Sequence, residues 1–230
     1  MNPSSFSSPA LSLSRRGALA LLGAFALVFA GCQPVLSIAD ARTRANGSEV
    51  TVQGAVTVAP GTFVSAMGDE GFALQDDTGG LYIKMAEKQS FGLGARVRVT
   101  GTLDEQNQLR ILKTVPMDVD LKPGTEQVAP RTVSTGGVNE SVEGQLIRAS
   151  GAITQAFVDD SPYGYKLYID DGSGEVQVFV HVSAGFDKAA LQALTVGQRI
   201  SVVGLAAQYE TTYEVAPRMP SDLAVETIIP

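Results

Sequence analysis

The sequence predicts an all-β chain made of two copies of one five-stranded unit. Three observations carry that expectation. Composition is the first: 24 Gly, 11 Pro and no Trp in 230 residues, with few apolar runs at helical spacing, lean toward strands and turns. The second is a pair of similar phrases, LQDDTGGLYIKM at 74–85 and IDDGSGEVQVFV at 169–180. Each reads as two short strands around an acidic, glycine-bearing turn. The third is that the blocks on either side of these phrases align in the same order.

NGSEVTVQGAVT (46–57) aligns without gaps on EGQLIRASGAIT (143–154), matching Gly47 with Gly144 and Gly54 with Gly151. GFALQDDTGGLYIKM (71–85) aligns on KLYIDDGSGEVQVFV (166–180), pairing Leu74 with Ile169, Asp76 with Asp171 and Ile83 with Val178. GLGARVRVTG (92–101) aligns on TVGQRISVVG (195–204). The offset runs 97, 95, then 103 residues and changes only between strand-like blocks, where loops accept insertions at little cost. The pattern reads as a duplication.

Strand one is expected at 50–58 and 147–155, with Gly54 and Gly151 inside it, where a bulge or sharp bend belongs. Strands two and three flank the acidic turn. Strand four is expected at Arg96–Thr100 and Arg199–Val203, and strand five near Leu109–Leu112 and Thr212–Ala216. Alternation sends Leu81, Ile83 and Met85 one way and Tyr82 and Lys84 the other. Between strands three and four the second copy carries SAGFDKAALQALTVG (183–197), in which Phe186, Ala189, Ala190, Ala193 and Leu194 form an apolar helix stripe. KPGTEQVAPRTVSTGG (122–137) is a connector rich in Pro, Gly and Thr.

Five strands, an element after the third, a glycine-bent first strand and an acidic turn after the second resemble the OB-fold. The blocks look most like the OB-type nucleic-acid-binding modules that accompany bacterial extracellular nucleases. YEVAPRMPSDLAV (213–225) is similar to the closing phrase of such modules, and LRILKTVPMDVDL (109–121) is a looser version. The resemblance covers most of 37–226. It implies an all-β fold of two tandem five-stranded OB-fold barrels, with a short helix after strand three in the second and an export signal helix in front. The expected division is a signal peptide at 1–31, a tether at 32–36, barrel one at 37–122, a connector at 123–133 and barrel two at 134–230.

The N-terminal stretch SLSRRGALALLGAFALVFAGCQP (12–34) has a basic pair, Arg15 and Arg16, then an uncharged apolar run of 15 residues, Gly17 to Gly31. Roughly 20 residues are needed to span a bilayer, so the run fits an export signal better than an uncleaved anchor. Phe29–Cys32, FAGC, resembles the bacterial lipobox, which implies cleavage before Cys32 and lipid attached there. SRRGAL also resembles a twin-arginine signal, which leaves the export route open. Gln33 after Cys32 lacks the aspartate of an inner-membrane retention signal, so an outer membrane is the expected location where one is present. Cys32 is the single cysteine, so no internal disulfide is possible.

Beyond residue 31 the chain carries 15 basic against 24 acidic residues, net −9. An acidic body suits neutral or cationic partners better than polyanions. The two halves differ: 33–122 is net −2 and 123–230 is net −7. His181 is the only histidine, so a serine–histidine arrangement has no spare base. There is no second cysteine for a thiolate metal site, and the paired aspartates read as turn formers rather than ligands. No catalytic residue, metal or cofactor is expected.

OB-folds hold oligonucleotides or oligosaccharides on the outer face of strands two and three. Alternation names that face as Gln75, Tyr82 and Lys84 in copy one, with Arg110 beside them, and as Lys166, Tyr168 and Phe179 in copy two. A ring beside a cation suits single-stranded nucleic acid, which needs a stacking platform and a phosphate partner. Net charge places any polyanion site on copy one, and makes copy two closer to a sugar or protein surface. The resulting expectation is an exported, lipid-anchored, non-catalytic binding protein, with single-stranded DNA or RNA as first ligand. The alternative is a protein- or glycan-binding module of a cell-envelope assembly. An accessory to a separately encoded nuclease is a third reading. Membrane contact is through the lipid only.

Overall fold

The computed structural model describes residues 34–226. The expected signal segment, the lipobox and Cys32 lie outside the described residues. Among those described, no helix is long and apolar enough to cross a membrane.

In the first half the elements run β1 (Val35–Leu36), α1 (Ile38–Arg42), β2 (Glu49–Val58), β3 (Phe72–Gln75), β4 (Gly80–Lys84), β5 (Ala95–Gln106), β6 (Leu109–Lys113) and β7 (Val119–Thr125). In the second they run β8 (Arg131–Thr132), β9 (Leu146–Ile153), β10 (Val158–Asp160), β11 (Gly164–Asp170), β12 (Val176–His181), α2 (Lys188–Gln192), β13 (Arg199–Tyr209), β14 (Thr212–Ala216) and β15 (Leu223–Val225). Two separate sheets result. The first closes as β2-β3-β4-β6-β5 and back to β2, the second as β9-β11-β12-β14-β13 and back to β9. Within each closed ring of five described strands one contact is parallel, β4 with β6 or β12 with β14. This is OB topology, twice.

Closure depends on the first strand serving two neighbours. β2 pairs with β5 along Glu49–Ala55 and with β3 from Ala55 onward, with a register shift between Val56 and Val58. Gly54 sits at the bend, where a Cβ would come within 2.3 Å of the Gln75 carbonyl oxygen. The matched Gly151 faces the Asp170 backbone at 2.7 Å. Any side chain there would force the first strand away from the second. The flanking strands repeat as well. β1 lies parallel to β2 as β8 does to β9, and β7 pairs β5 as β15 pairs β13.

The alternating aliphatics fill the two interiors. Val52, Leu74, Leu81, Ile83, Val97 and Leu112 are fully buried in barrel one, and α1 caps its end with Ile38 and Ala41. Ile147, Leu167, Ile169, Val178, Ile200 and Val215 do the same in barrel two. The helix after strand three forms as expected but with a different stripe. α2 is a single turn with Leu191 buried and Phe186 and Leu194 packed beside it, while Ala189, Ala190 and Ala193 are exposed. One turn can place only one large side chain inward, and leucine covers more apolar surface than alanine.

The repeated acidic turn is a clasp. Asp76 Oδ1 accepts from Thr78 N, Thr78 Oγ1 and Gly79 N at 2.8, 2.6 and 3.0 Å. Its Oδ2 accepts from Ile38 N, at the start of α1, at 2.8 Å. Asp171 does the same in barrel two: Oδ1 accepts from Ser173 N and Thr135 Oγ1 at 3.0 and 2.8 Å, and Oδ2 from Thr135 N at 3.2 Å. The Ser173 and Thr135 hydroxyls hold the Asp171 carboxyl below the usual carboxylate range. Each turn thus ties down the segment that enters its own barrel.

A third apolar cluster joins the halves, so the barrels are not independent cylinders. Ala73, Tyr82, Leu109 and Ile111 from the outside of barrel one pack with Leu205, Ala207 and Ala216 from the outside of barrel two. Gly80 and Gly144 meet backbone to backbone, each leaving no room for a Cβ on the other. Arg42 donates to Glu143 Oε1 at 3.0 Å, and the same oxygen accepts from Arg110 N at 3.0 Å. Burial, offset in part by Arg42, raises the Glu143 pKa.

Candidate functional site

Sequence alternation places the candidate ring and amide of barrel one on the outer face, and the structure puts barrel two on top of them. Tyr82 is fully buried. Its hydroxyl donates to the Phe63 carbonyl and to Asp69 Oδ2, both at 2.9 Å, and its pKa is raised by burial and then by Asp69. Gln75 Oε1 accepts from Leu146 N across the interface at 2.8 Å. Arg110 is buried, bonded to Asn46 Oδ1 and the Arg44 carbonyl, with Glu105 at 3.7 Å. Lys84 is half-buried and donates to Gln106 Oε1 at 2.6 Å. The expected water-facing set of copy one is therefore corrected: Tyr82 and Gln75 are taken by packing and bonds at the barrel–barrel contact, Arg110 by bonds within barrel one, and Lys84 stays half-buried.

Barrel two keeps its face open. Across β11, β12 and β14 the outward positions are Lys166 and Tyr168, then Gln177, Phe179 and His181, then Thr212 and Glu214. Register sets Tyr168 opposite Gln177 and Gln177 beside Glu214. The row is joined by hydrogen bonds: Tyr168 Oη donates to Gln177 Oε1 at 3.2 Å, and Gln177 Nε2 donates to Glu214 Oε2 at 2.7 Å. In the next row Lys166 Nζ lies over the Phe179 ring, 5.9 Å from its centroid, and pairs with Asp160 Oδ2 at 2.9 Å. Phe179 is 8% exposed, so it forms a floor rather than a free platform.

The wall opposite comes from barrel one. The long β2–β3 loop reaches over, held by buried Asp69, which accepts from Ser65 N, Gly71 N and Tyr82 Oη at 3.0, 2.9 and 2.9 Å. Phe63 at its root meets His181 at 5.0 Å and Tyr82 at 5.1 Å, and His181 meets Phe179 at 5.0 Å, all edge to face. Four rings thus run from one barrel's outer face to the other's. His181 is a half-buried member of that chain. Burial pushes its pKa down to about 4, with Asp69 pulling the other way.

Between these walls lies a cleft of about 710 Å³. Its floor is Gln177, Phe179 and Glu214, its far wall Phe63–Met67 with Gln106 and Asn107, and its lip Tyr163, Tyr209 and Glu210. Tyr163 and Tyr209 are 57% and 53% exposed. Glu214 is 4% exposed, and burial pushes its pKa up to about 7, against the Gln177 bond and the Lys166 charge. Among the described residues no set of three or more His, Cys, Asp and Glu could hold a metal ion.

Sequence reasoning reached Lys166, Tyr168 and Phe179 and missed Glu214 and Phe63. The signal for Glu214 was present in TYEVA, where Thr212, Glu214 and Ala216 alternate against Tyr213 and Val215. Nothing in PGTFVSAMGDEG marks where Phe63 lands.

No family model matches the chain. No curated protein matches it. Solved structures give distant likenesses. A component of the S. pombe Stn1–Ten1 complex shares 20% identity at a TM-score of 0.30, over 35% of this chain and 57% of that one. The p204 HINb domain shares 10% at 0.37, over 79% and 98%, and a murine DNA-binding protein bound to double-stranded DNA shares 12% at 0.38, over 77% and 97%. At these scores the fold rests on the strand order above, and the ligand on this chain's own surface.

Proposed function

We propose that this chain is an exported, lipid-anchored binding protein without a catalytic role, and that its ligand surface is the cleft on barrel two. The observation that carries this reading is the contrast between the two outer faces. One is sealed under the other barrel, while its counterpart lies open and ends in exposed rings and a buried carboxyl. The lone histidine, with a pKa near 4 and rings on both sides, is poorly placed to move a proton at neutral pH.

Charge orders the ligands. Among the described residues Lys166 is the one lysine or arginine lining the cleft, and it is paired with Asp160, while Glu210 and Glu214 line the cleft as well. A phosphate backbone would meet acids where it needs lysine and arginine. A protein segment or a glycan of an envelope assembly fits this surface better. Nucleic acid is the second reading, favoured by Tyr163 and Tyr209, whose exposed faces could each stack a base. Lipid at Cys32 would hold the cleft at a membrane surface.

The test is fluorescence anisotropy on the full chain in detergent, with labelled oligothymidine, a labelled lysine-glycine peptide and labelled chitohexaose. Tyr209→Ala is expected to weaken the bound probe about tenfold or more, the scale of one lost aromatic contact. Binding that ignores Tyr209→Ala and Phe179→Ala would overturn the assignment of the cleft. Steep loss with salt for oligothymidine alone would favour the second reading.

A further inference from the structure

The floor of the cleft carries an unusual group. Glu214 stands in the middle of β14, 4% exposed, with Oε2 accepting from the neutral amide of Gln177 and the carboxyl lining the cleft. A buried carboxyl is costly to ionise unless a cation pairs with it. Gln177 supplies only a neutral donor, its amide fixed in one sense by accepting from Tyr168 and donating to Glu214. Lys166, which lines the same cleft, is drawn to Asp160 at 2.9 Å instead. The carboxyl lines the cleft together with Phe179 and the exposed Tyr209.

Those surroundings specify a ligand. An apolar stem would lie along Phe179 and Tyr209, a charged head would meet Glu214, and the amides of Gln106, Asn107 and Gln208 at the edges would face a polypeptide backbone. We propose that the cleft receives a lysine or arginine side chain from a basic polypeptide segment, with Glu214 as the anion that receives its head and selects it. This rests on the cleft being the ligand surface and goes further, by naming the partner's chemistry. The acidic half of the chain, net −7 over 123–230, complements such a partner and repels an oligonucleotide.

A pH signature follows. Glu214 carries a proton part of the time near neutrality, since burial lifts its pKa to about 7. A docked cation favours the ionised form, so affinity rises with pH through about 7 and levels off above it. The other charged or titratable groups facing it are Asp160 and Lys166 on β10 and β11, His181 on β12 and Glu210 beyond β13. Barrel one contributes Lys84 only through Gln106. His181 titrates near 4, well below this window.

The experiment is anisotropy of a fluorescein-labelled lysine-glycine decapeptide with the full chain in detergent, from pH 5.5 to 8.5, for wild type, Glu214→Gln and Tyr209→Ala. The expected result is binding that strengthens with pH in wild type, weakens about tenfold in Glu214→Gln and loses its pH dependence there. Circular dichroism of both variants separates misfolding from lost recognition. Peptide binding equal in Glu214→Gln and wild type, or oligothymidine held by the cleft in its place and weakened by Tyr209→Ala, would overturn the cation assignment and leave the cleft standing. No probe bound, or binding indifferent to Tyr209→Ala, would remove both.

Discussion

Glu214 and His181 stand on paired strands of one open face and respond to burial with opposite sign. Between its ordinary 4.5 and about 7, folded Glu214 holds more protons than the unfolded chain, so its contribution to stability falls as pH rises through that window. Between about 4 and its ordinary 6.5, folded His181 holds fewer protons than the unfolded chain, so its contribution rises with pH. Each effect amounts to about 3 kcal/mol at most, and over the shared range they oppose. Urea unfolding across pH should show this directly. Glu214→Gln is expected to gain stability relative to wild type from pH 4.5 to 7, and His181→Phe is expected to gain it as pH falls from 6.5 to 4. A wild-type-minus-variant difference flat with pH would contradict the burial of that residue. At this scale the sequence revealed residue types and alternation. It could not reveal that Tyr82 and Arg110 are spent on internal bonds, because their partners, Asp69 and Asn46, come from distant loops.

Strands were the most legible elements, because period-two alternation and turn residues are local signals. Strand five of copy two, expected at Thr212–Ala216, is β14 with those bounds. The strand-four positions begin at Ala95, one residue before the expected Arg96, and at Arg199 as expected, and run longer, to Gln106 and Tyr209, because each continues into a hairpin with strand five. The acidic turns were readable as turns. Their second task was not, since it joins Asp76 to Ile38 and Asp171 to Thr135, 38 and 36 residues apart. That task predicts a local phenotype. Asp171→Ala should speed amide exchange at Thr135 and Gly136 about tenfold or more while the β13 amides stay protected. Unchanged exchange at Thr135 would show that the clasp does not hold the entering segment.

For the whole molecule, duplication supplied two equivalent faces and packing made them unequal. Alternation correctly assigns Leu81 and Ile83 to the interior of barrel one and Tyr82 to the outside, but outside one barrel became inside the pair. Pattern within a repeat carries no record of how repeats dock, so the expected ligand face of barrel one was the natural misreading. Its loss to Leu205, Ala207 and Ala216 is why the proposed ligand surface lies on barrel two, and why basic or neutral partners are proposed ahead of polyanions.

Thiol labelling tests that docking most directly. In the full chain with Cys32→Ser, Ala73→Cys and Ala207→Cys place probes on the two sides of the shared cluster, and Thr212→Cys places one at the open cleft. The account predicts maleimide reaction at positions 73 and 207 slower than at 212 by about a hundredfold or more, as opening of the interface must precede it. Reaction at position 73 as fast as at 212 would show the face of barrel one open to solvent and contradict the account.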